Sequence, residues 1–261
     1  MKPIFISHGG GPLPLLGDPG HSEMVASLNE LAKRIQRPEA IVVVSAHWEE
    51  EVATLTASET PSLIYDYYGF PDESYTITYP CPGEPALASE LYRLLEASGI
   101  EAKFDNERGL DHGVFVPLKI MYPEADIPCV QLSLLRSLDP LAHIAIGKAL
   151  GCLARKNILF IGSGFSFHNL KAFFAPEDTT TGDLNNAFEQ WLHDTCCNLE
   201  YSEVERAHKL VNWTEAPGAR FCHPREEHLL PLHVCYGVAQ QACAESLKLE
   251  IMNKRSSMYV W

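Results

Sequence analysis

The sequence has no excess of basic residues, and this excludes proteins that bind polyanions through bulk charge. It contains 20 Lys and Arg residues against 34 Asp and Glu residues, a formal net charge of -14 at pH 7. A nucleic-acid backbone and an anionic membrane surface both repel a chain of that charge. We therefore expect neither nucleic acid nor a membrane as a partner.

Long hydrophobic runs are also absent. No apolar stretch approaches the roughly 20 residues that a membrane-spanning helix needs. The apolar segment near the start, residues 3–7, is too short for the apolar region of a signal peptide. These two absences predict a cytoplasmic protein.

Cysteine motifs that indicate zinc binding or a disulfide framework are missing. The eight cysteines are scattered, apart from the adjacent pair Cys196-Cys197, and none belongs to a Cys-x-x-Cys motif. Since nothing else in the sequence indicates secretion, we predict free and mostly buried thiols rather than disulfides.

Three familiar catalytic motifs are absent as well. Gly9-Gly10-Gly11 is not followed by Lys-Ser/Thr, so it is not a phosphate-binding P-loop. Ser163 lies in Gly-Ser-Gly rather than in the Gly-x-Ser-x-Gly nucleophile elbow of serine hydrolases. Glu227-His228 lacks the second histidine of the His-Glu-x-x-His metalloprotease helix.

What the sequence does contain is an alternation of buried strands and amphipathic helices. Ile41-Val42-Val43-Val44 is a run of four β-branched residues, typical of a strand buried on both faces of a parallel sheet. Strands are predicted at residues 3–7, 41–47, 52–57, 101–104, 127–135, 158–161 and 257–261. We expect one α/β domain over residues 1–261, with a central, mostly parallel or mixed sheet flanked by helices.

Helices are predicted from apolar stripes and from their terminal residues. They cover residues 22–35, 85–98, 139 to about 155, and 183–199, and a further helix opens at the capping box Ser202 to Glu205. Pro231 either kinks one helix or begins the next. The segment 62–82 is irregular and rich in aromatic residues, which can wall a planar substrate or pack onto the sheet.

Five histidines fall at turns or at the ends of predicted elements: His8, His47, His112, His168 and His228. Three of them directly follow apolar strands, and ligands of open α/β sheets bind at the carboxyl ends of strands. Several neutral imidazoles that converge indicate a metal more readily than acid–base chemistry alone. Packing or solvent contact is the default interpretation for the histidines within helical patterns, His143, His193 and His208. The remaining three are ambiguous: His21, His223 and His233.

The residues around these histidines carry a family resemblance that spans essentially the whole chain in the right order. The motifs are Ser7-His8-Gly9-Gly10-Gly11-Pro12, Ser45-Ala46-His47-Trp48, Tyr67-Tyr68-Gly69-Phe70-Pro71, Asp111-His112-Gly113, Phe167-His168-Asn169 and Glu227-His228-Leu229-Leu230-Pro231-Leu232. Together they resemble the class III extradiol ring-cleavage dioxygenases, and within that family the branch called 4,5-DOPA dioxygenase extradiol.

The resemblance implies a mononuclear metal held by His8, His47 and His228. It implies that His168 is a base near the metal, or a fourth ligand when substrate is absent, and that His112 contacts substrate or a ligand. Other class III enzymes use two histidines and a glutamate, whereas this chain has His228 at the third position. Three imidazoles also resemble a catalytic zinc site, so Fe(II) is expected for turnover and Zn(II) is a second candidate for the bound metal.

The implied reaction joins a DOPA-like catechol and O2 to give a ring-opened semialdehyde. Two other functions remain open: a zinc-dependent hydrolase that uses the same histidines, and a metal-binding protein without turnover. Four basic residues are candidates for a substrate carboxylate, and the sequence does not rank them: Arg136, Lys171, Arg220 and Arg225. The sequence does not determine the oligomeric state.

Overall fold

The computed structural model describes residues 2–154, 157–175 and 179–261. Eight strands form one mixed sheet in the order β4-β3-β5-β2-β6-β1-β8-β7. They are β1 (Lys2–Ser7), β2 (Ala40–Glu50), β3 (Ala53–Thr56), β4 (Ala102–Asp105), β5 (Cys129–Leu135), β6 (Ile158–Gly164), β7 (Glu245–Ile251) and β8 (Lys254–Val260).

The centre of the sheet is parallel. Strands β5, β2, β6 and β1 pair in parallel in that order, and β3 pairs in parallel with β4. The β3–β5, β1–β8 and β7–β8 pairs are antiparallel. The carboxyl ends of β1, β2 and β6 therefore lie side by side at one edge of the sheet.

Helices connect and cover the strands. Short 3₁₀ turns lie at Leu13–Leu16, Pro19–His21, Asp72–Thr76 and Trp213–Glu215. The helices of the described residues are α1 (Ser22–Arg34), α2 (Pro85–Ala97), α3 (His112–Met121), α4 (Pro140–Leu150), α5 (Leu170–Phe173), α6 (Thr179–Cys197), α7 (Glu203–Val211), α8 (Ala219–Cys222) and α9 (Leu230–Ala239).

Helices α3 and α9 cover opposite faces of the sheet. Gly162 and Ser163 are successive residues of β6 and so point to opposite faces. The hydroxyl of Ser163 donates to the carbonyl of Gly113 in α3. A Cβ on Gly162 would lie 2.5 Å from the carbonyl oxygen of Pro231 in α9. The sheet is thus the middle of three layers, as the single α/β domain predicted from the sequence requires.

Helices α4 and α9 contact each other directly through their backbones at two glycines. A Cβ on Gly147 would lie 2.1 Å from the carbonyl oxygen of Val234, and one on Gly237 would lie 2.3 Å from that of Ile144. Both distances are far inside van der Waals contact. The two glycines therefore let α4 rest on α9, the helix that supports the sheet beneath the strand ends.

Alanine at Gly147 is expected to lower the free energy of unfolding by about 3 kcal/mol, since the helices must separate to admit the methyl group. Gly182 in α6 is the matched control because a Cβ there meets nothing within 4 Å. Gly182→Ala is expected to raise that free energy by about 0.5 kcal/mol through helix propensity. Urea denaturation of both variants measures the difference; equal stabilities would show that the α4–α9 contact tolerates a side chain.

Several predicted element boundaries are confirmed. Ser202 and Glu205 form the capping box at the start of α7. Pro231, for which the sequence left two alternatives open, is the second residue of α9 and lies at a helix start rather than at a kink. The side chain of Asp139 accepts the N–H of Leu141 at the start of α4. The predicted strands at residues 101–104 and 257–261 correspond to β4 and β8.

The predicted length of α4 is wrong. The helix ends at Leu150, and the chain then tightens into a turn in which Cys152 and Leu153 donate to carbonyls three residues earlier. Gly151, directly after the helix, has little helix propensity and favours this early end. The expected end at about residue 155 lies outside the described residues.

The prediction that every thiol is free is also wrong. Cys197 at the end of α6 forms a disulfide with Cys243, and their Cα atoms lie 4.9 Å apart. The N–H of Cys243 also donates to the carbonyl of Cys196, which holds the two segments together. The other six cysteines are free, and of these only Cys152 is exposed.

The helices α1 to α9 all lie within the described residues. None of the helices there combines the length and the apolar character that crossing a bilayer needs.

Candidate metal centre

The five histidines singled out from the sequence come together at the carboxyl edge of the sheet. His8 follows β1, His47 lies near the end of β2 and His112 is the first residue of α3. His168 lies in the loop after β6, and His228 lies just before α9. The ring centroids of neighbouring pairs among the five are between 3.4 and 5.3 Å apart.

The three predicted metal ligands form a nearly equilateral triangle. Ring centroids are separated by 4.8 Å for His8 and His47, 5.2 Å for His8 and His228, and 4.9 Å for His47 and His228. The Nε2 atoms of His8 and His47 are 3.0 Å apart. The ring of His112 lies 3.9 Å from that of His47, and the ring of His168 stacks on that of His228 at 3.4 Å.

Two separate donor groups result from this arrangement. The potential ligand atoms of His8, His47 and His112 lie within 4.8 Å of one another. So do those of His168, Glu227 and His228. The predicted ligand set of His8, His47 and His228 takes members from both groups. That these three residues, rather than either group, bind the metal stays a prediction.

His47 is aimed by an irregularity in β2. The pairing of β2 with β5 shifts register between Val44 and Glu49, and such a bulge re-aims the side chains within it. The hydroxyl of Ser45 donates to buried Asp111 at 2.7 Å and accepts the N–H of His47 at 3.2 Å. The bulge is thus held from below by a buried carboxylate.

His8 is followed by the glycine turn, which His21 supports. Gly9 has φ +82°, and a Cβ there would lie 2.8 Å from the ring of His21. Nε2 of His21 accepts the N–H of Gly10 at 2.9 Å, and its Nδ1 lies 2.6 Å from a carboxylate oxygen of Asp18. His21, which the sequence left ambiguous, therefore has a structural role in the turn.

The hydrogen bonds of Ser163 determine which nitrogen of His8 is protonated. The Ser163 hydroxyl donates to the carbonyl of Gly113, so its oxygen accepts a proton from Nδ1 of His8 at 3.0 Å. Nε2 of His8 then carries a lone pair. Ser163 is fully buried and its hydroxyl proton is engaged, so the structure does not present it as a hydrolase nucleophile.

Asp66 supports two of the histidines, and the sequence analysis missed it. One carboxylate oxygen accepts the backbone N–H of His112 at 3.0 Å and lies 2.8 Å from its Nδ1. The other lies 3.6 Å from Nδ1 of His47. Although burial opposes ionisation, the hydrogen bonds from His112 lower the pKa of Asp66 to about 2. A carboxylate between Tyr65 and Tyr67, in an aromatic segment, was the available signal.

Glu227 supports the other two histidines. Its Oε1 lies 2.9 Å from Nδ1 of His228 and 3.2 Å from Nδ1 of His168. Burial opposes ionisation of Glu227, but the hydrogen bond with His168 lowers its pKa below the usual value. The sequence placed Glu227 in a motif without assigning it this role, although its position directly before His228 was visible.

The imidazoles of His8, His47 and His228 are neutral at pH 7. Burial lowers the pKa of each well below its usual value, and neighbouring histidines lower it further. The Nδ1 atoms face acceptors, so the lone pairs lie on Nε2. Lone pairs 3.0 Å apart, as on His8 and His47, repel unless a cation lies beside them. The site fits one divalent cation of the kind that imidazole binds.

Three buried histidines outside this cluster are held by backbone contacts. Nε2 of His143 accepts the N–H of Leu135 at 3.1 Å. His223 and His233 each place Nε2 within 2.8 Å of a backbone carbonyl oxygen. The default interpretation of His143 as a packing histidine is confirmed, and His223 and His233, which the sequence left ambiguous, are held in the same way.

The basic residues suggested for a substrate carboxylate are mostly paired elsewhere. Arg136 donates to Glu51 and Arg220 to Glu226, each at 2.7 Å. Arg225 forms a bidentate pair with Glu49 at 2.6 and 2.7 Å. Lys171 is exposed on α5.

Comparison with known proteins agrees with this geometry. The family model described as the catalytic LigB subunit of aromatic ring-opening dioxygenase matches residues 3–259. A protein named dioxygenase tasH from Hapsidospora irregularis is 41% identical, over 91% of this chain and 78% of that protein. A 4,5-DOPA dioxygenase extradiol from Beta vulgaris is 38% identical, over 96% of this chain and 90% of the relative.

A solved structure shows the same fold. The crystal structure of an uncharacterized protein from Escherichia coli K12 has a TM-score of 0.80 and 32% identity to this chain. The alignment covers 100% of this chain and 99% of that one. From the family match and these relatives, we conclude that the chain belongs to the LigB family of aromatic ring-opening dioxygenases.

Proposed function

We propose that residues 1–261 form a single catalytic domain that opens the ring of a catechol beside its two hydroxyls, with O2 as co-substrate. The observation that carries this proposal is the convergence of five imidazoles, three of them with strongly lowered pKa, in a member of a ring-opening family. DOPA is one candidate catechol, because relatives bear that name. The cytoplasmic location predicted from the sequence stays part of this proposal.

In this proposal His8, His47 and His228 hold one divalent metal. Bound there as Fe(II), the metal would supply both Lewis acidity and one-electron redox chemistry for the reaction of a catechol with O2, whereas Zn(II) would supply Lewis acidity alone. Asp66 and Glu227 supply the acceptors that fix the Nδ1–H side of the imidazoles. Such partners orient a metal-binding ring and raise its basicity.

His168 is proposed as the base that takes the first catechol proton. Its Nδ1 faces Glu227, which leaves Nε2 as the nitrogen that accepts the proton. The imidazolium that forms is then stabilised by the Glu227 carboxylate, and a base of this kind contributes about 10²- to 10⁴-fold to rate. His112, held by Asp66, is proposed to contact the substrate from the other side of the cluster.

Metal replacement tests the reaction. Apo-protein loaded anaerobically with Fe(II) is expected to consume O2 when a catechol is added and to form a product that absorbs visible light. The same preparation loaded with Zn(II) is expected to bind the catechol without O2 uptake above background. Full uptake by an iron-free zinc protein would overturn the mechanism, and hydrolysis by that protein would favour the zinc hydrolase instead.

A further inference from the structure

The histidine cluster lies at the bottom of a cavity of about 540 Å³. That volume lies within the range of pockets that bind drug-sized ligands. It therefore leaves room for a substituent on the catechol ring, and the side chains of the cavity wall determine which substituents fit.

The wall above the cluster is apolar. Leu13 and Met252 line it together with aromatic rings: Phe70, Phe165 and Phe173. The hydroxyl of Tyr67, which also lines the cavity, donates to the carbonyl of Ser74 at 2.7 Å and is not free for a ligand.

The side chains around the mouth of the cavity are also largely apolar. Tyr68, Leu170 and Phe174 line it and are 92%, 60% and 79% exposed. Because the three side chains border one cavity, they form an exposed apolar patch of the kind that marks ligand-binding grooves. A hydrocarbon group that extends from the ring would cover them.

The described residues that line this cavity include no Lys, Arg, Asp or Glu. Beyond the imidazoles, the polar side-chain atoms of the wall are the two tyrosine hydroxyls. A carboxylate or ammonium group drawn into such a site would lose hydration without gaining a side chain of opposite charge from the described part of the wall, which is costly.

We infer that the preferred substrate is a catechol with an uncharged, apolar substituent, hydrocarbon or aromatic, rather than one with a charged amino-acid side chain. This inference rests on the proposed function and specifies its substrate class. The diol meets the histidine cluster, and the substituent lies along Phe70, Phe173 and Leu170 towards the mouth. The ring-opening reaction itself is unchanged.

Equilibrium binding tests the inference without turnover. Titration calorimetry of the Zn(II)-loaded protein under nitrogen compares 4-methyl-, 4-propyl- and 4-pentylcatechol with L-DOPA, whose side chain has the same carbon count as propyl. The Kd is expected to fall about fourfold per methylene added, as burial of CH₂ groups predicts. L-DOPA is expected to bind at least about tenfold more weakly than 4-propylcatechol.

A charge placed at the mouth should change this preference. Leu170→Arg is expected to raise the Kd of 4-pentylcatechol by about tenfold. It is expected to lower the Kd of L-DOPA, because the guanidinium pairs with the carboxylate of that ligand. Leu141→Arg is the matched control, since Leu141 is 58% exposed and does not line the cavity. It is expected to leave both affinities unchanged.

Three outcomes decide the inference. A Kd that does not change with chain length overturns it. So does an L-DOPA affinity equal to that of 4-propylcatechol, particularly if Lys171→Ala then weakens only L-DOPA. Chain-length dependence without O2 uptake by the Fe(II) protein supports the apolar site and overturns only the proposed reaction.

Discussion

Alanine in place of His8, His47 or His228 is expected to remove the metal from the purified protein and to abolish O2 uptake. The three rings form a triangle with sides near 5 Å, so losing one leaves too few ligands for tight binding. The loss of affinity is expected to exceed the roughly 10- to 100-fold effect of removing a residue that only hydrogen-bonds a ligand. Metal content after dialysis and O2 uptake measure the two effects.

Asp66→Asn provides the comparison within the site, because Asp66 contacts His47 and His112 without being a proposed ligand. This variant is expected to lose about 10- to 100-fold in affinity for the metal. His208→Ala is the control, since His208 is exposed on α7 and is expected to leave metal content unchanged. If His228→Ala retained the metal while His112→Ala lost it, the ligands would be His8, His47 and His112, the other triad of neighbouring histidines.

Glutamine at His168 is expected to leave the metal bound but to lower turnover by about 10²-fold or more, the scale of a lost general base. Glutamine keeps a polar group near Glu227 but has no nitrogen that accepts a proton at neutral pH. Metal content, catechol affinity and kcat are measured on the Fe(II) protein.

The pH profile distinguishes a base from a structural residue. The rate of His168→Gln is expected to rise with pH above neutrality, because the catechol then ionises without help from the protein. A variant that was merely misfolded would not regain activity in that way. Parallel loss of metal and turnover would instead identify His168 as a required fourth ligand.

The fold was accessible from the sequence because its strongest patterns are local. The run Ile41 to Val44 indicated a strand buried on both faces, and the histidine that follows it lay at the edge where parallel strands place ligands. The capping box at Ser202 and the helix start at Asp139 depend on neighbouring residues only. Such signals do not require knowledge of distant contacts.

What the sequence could not show depends on residues that only folding brings together. Asp66 lies 46 residues before His112, and no spacing rule connects them. Cys197 and Cys243 are likewise separated by 46 positions, so composition alone favoured free thiols. The choice of Glu227 as acceptor for both His168 and His228 also depends on the stacking of their rings, which no pattern predicts.

The five histidines come from five segments spread between residues 8 and 228, and this spacing has a consequence for biosynthesis. A nascent chain acquires its complete donor set only after the segment before α9 has left the ribosome and the sheet has closed. A metal held by His8, His47 and His228, as proposed, would need the finished fold, and a ligand present at 100 times its Kd adds about 2.7 kcal/mol to the stability of the state that binds it. Binding of the ion would thus stabilise only complete molecules. An incomplete or truncated molecule would lack this stabilisation and would be more susceptible to proteolysis.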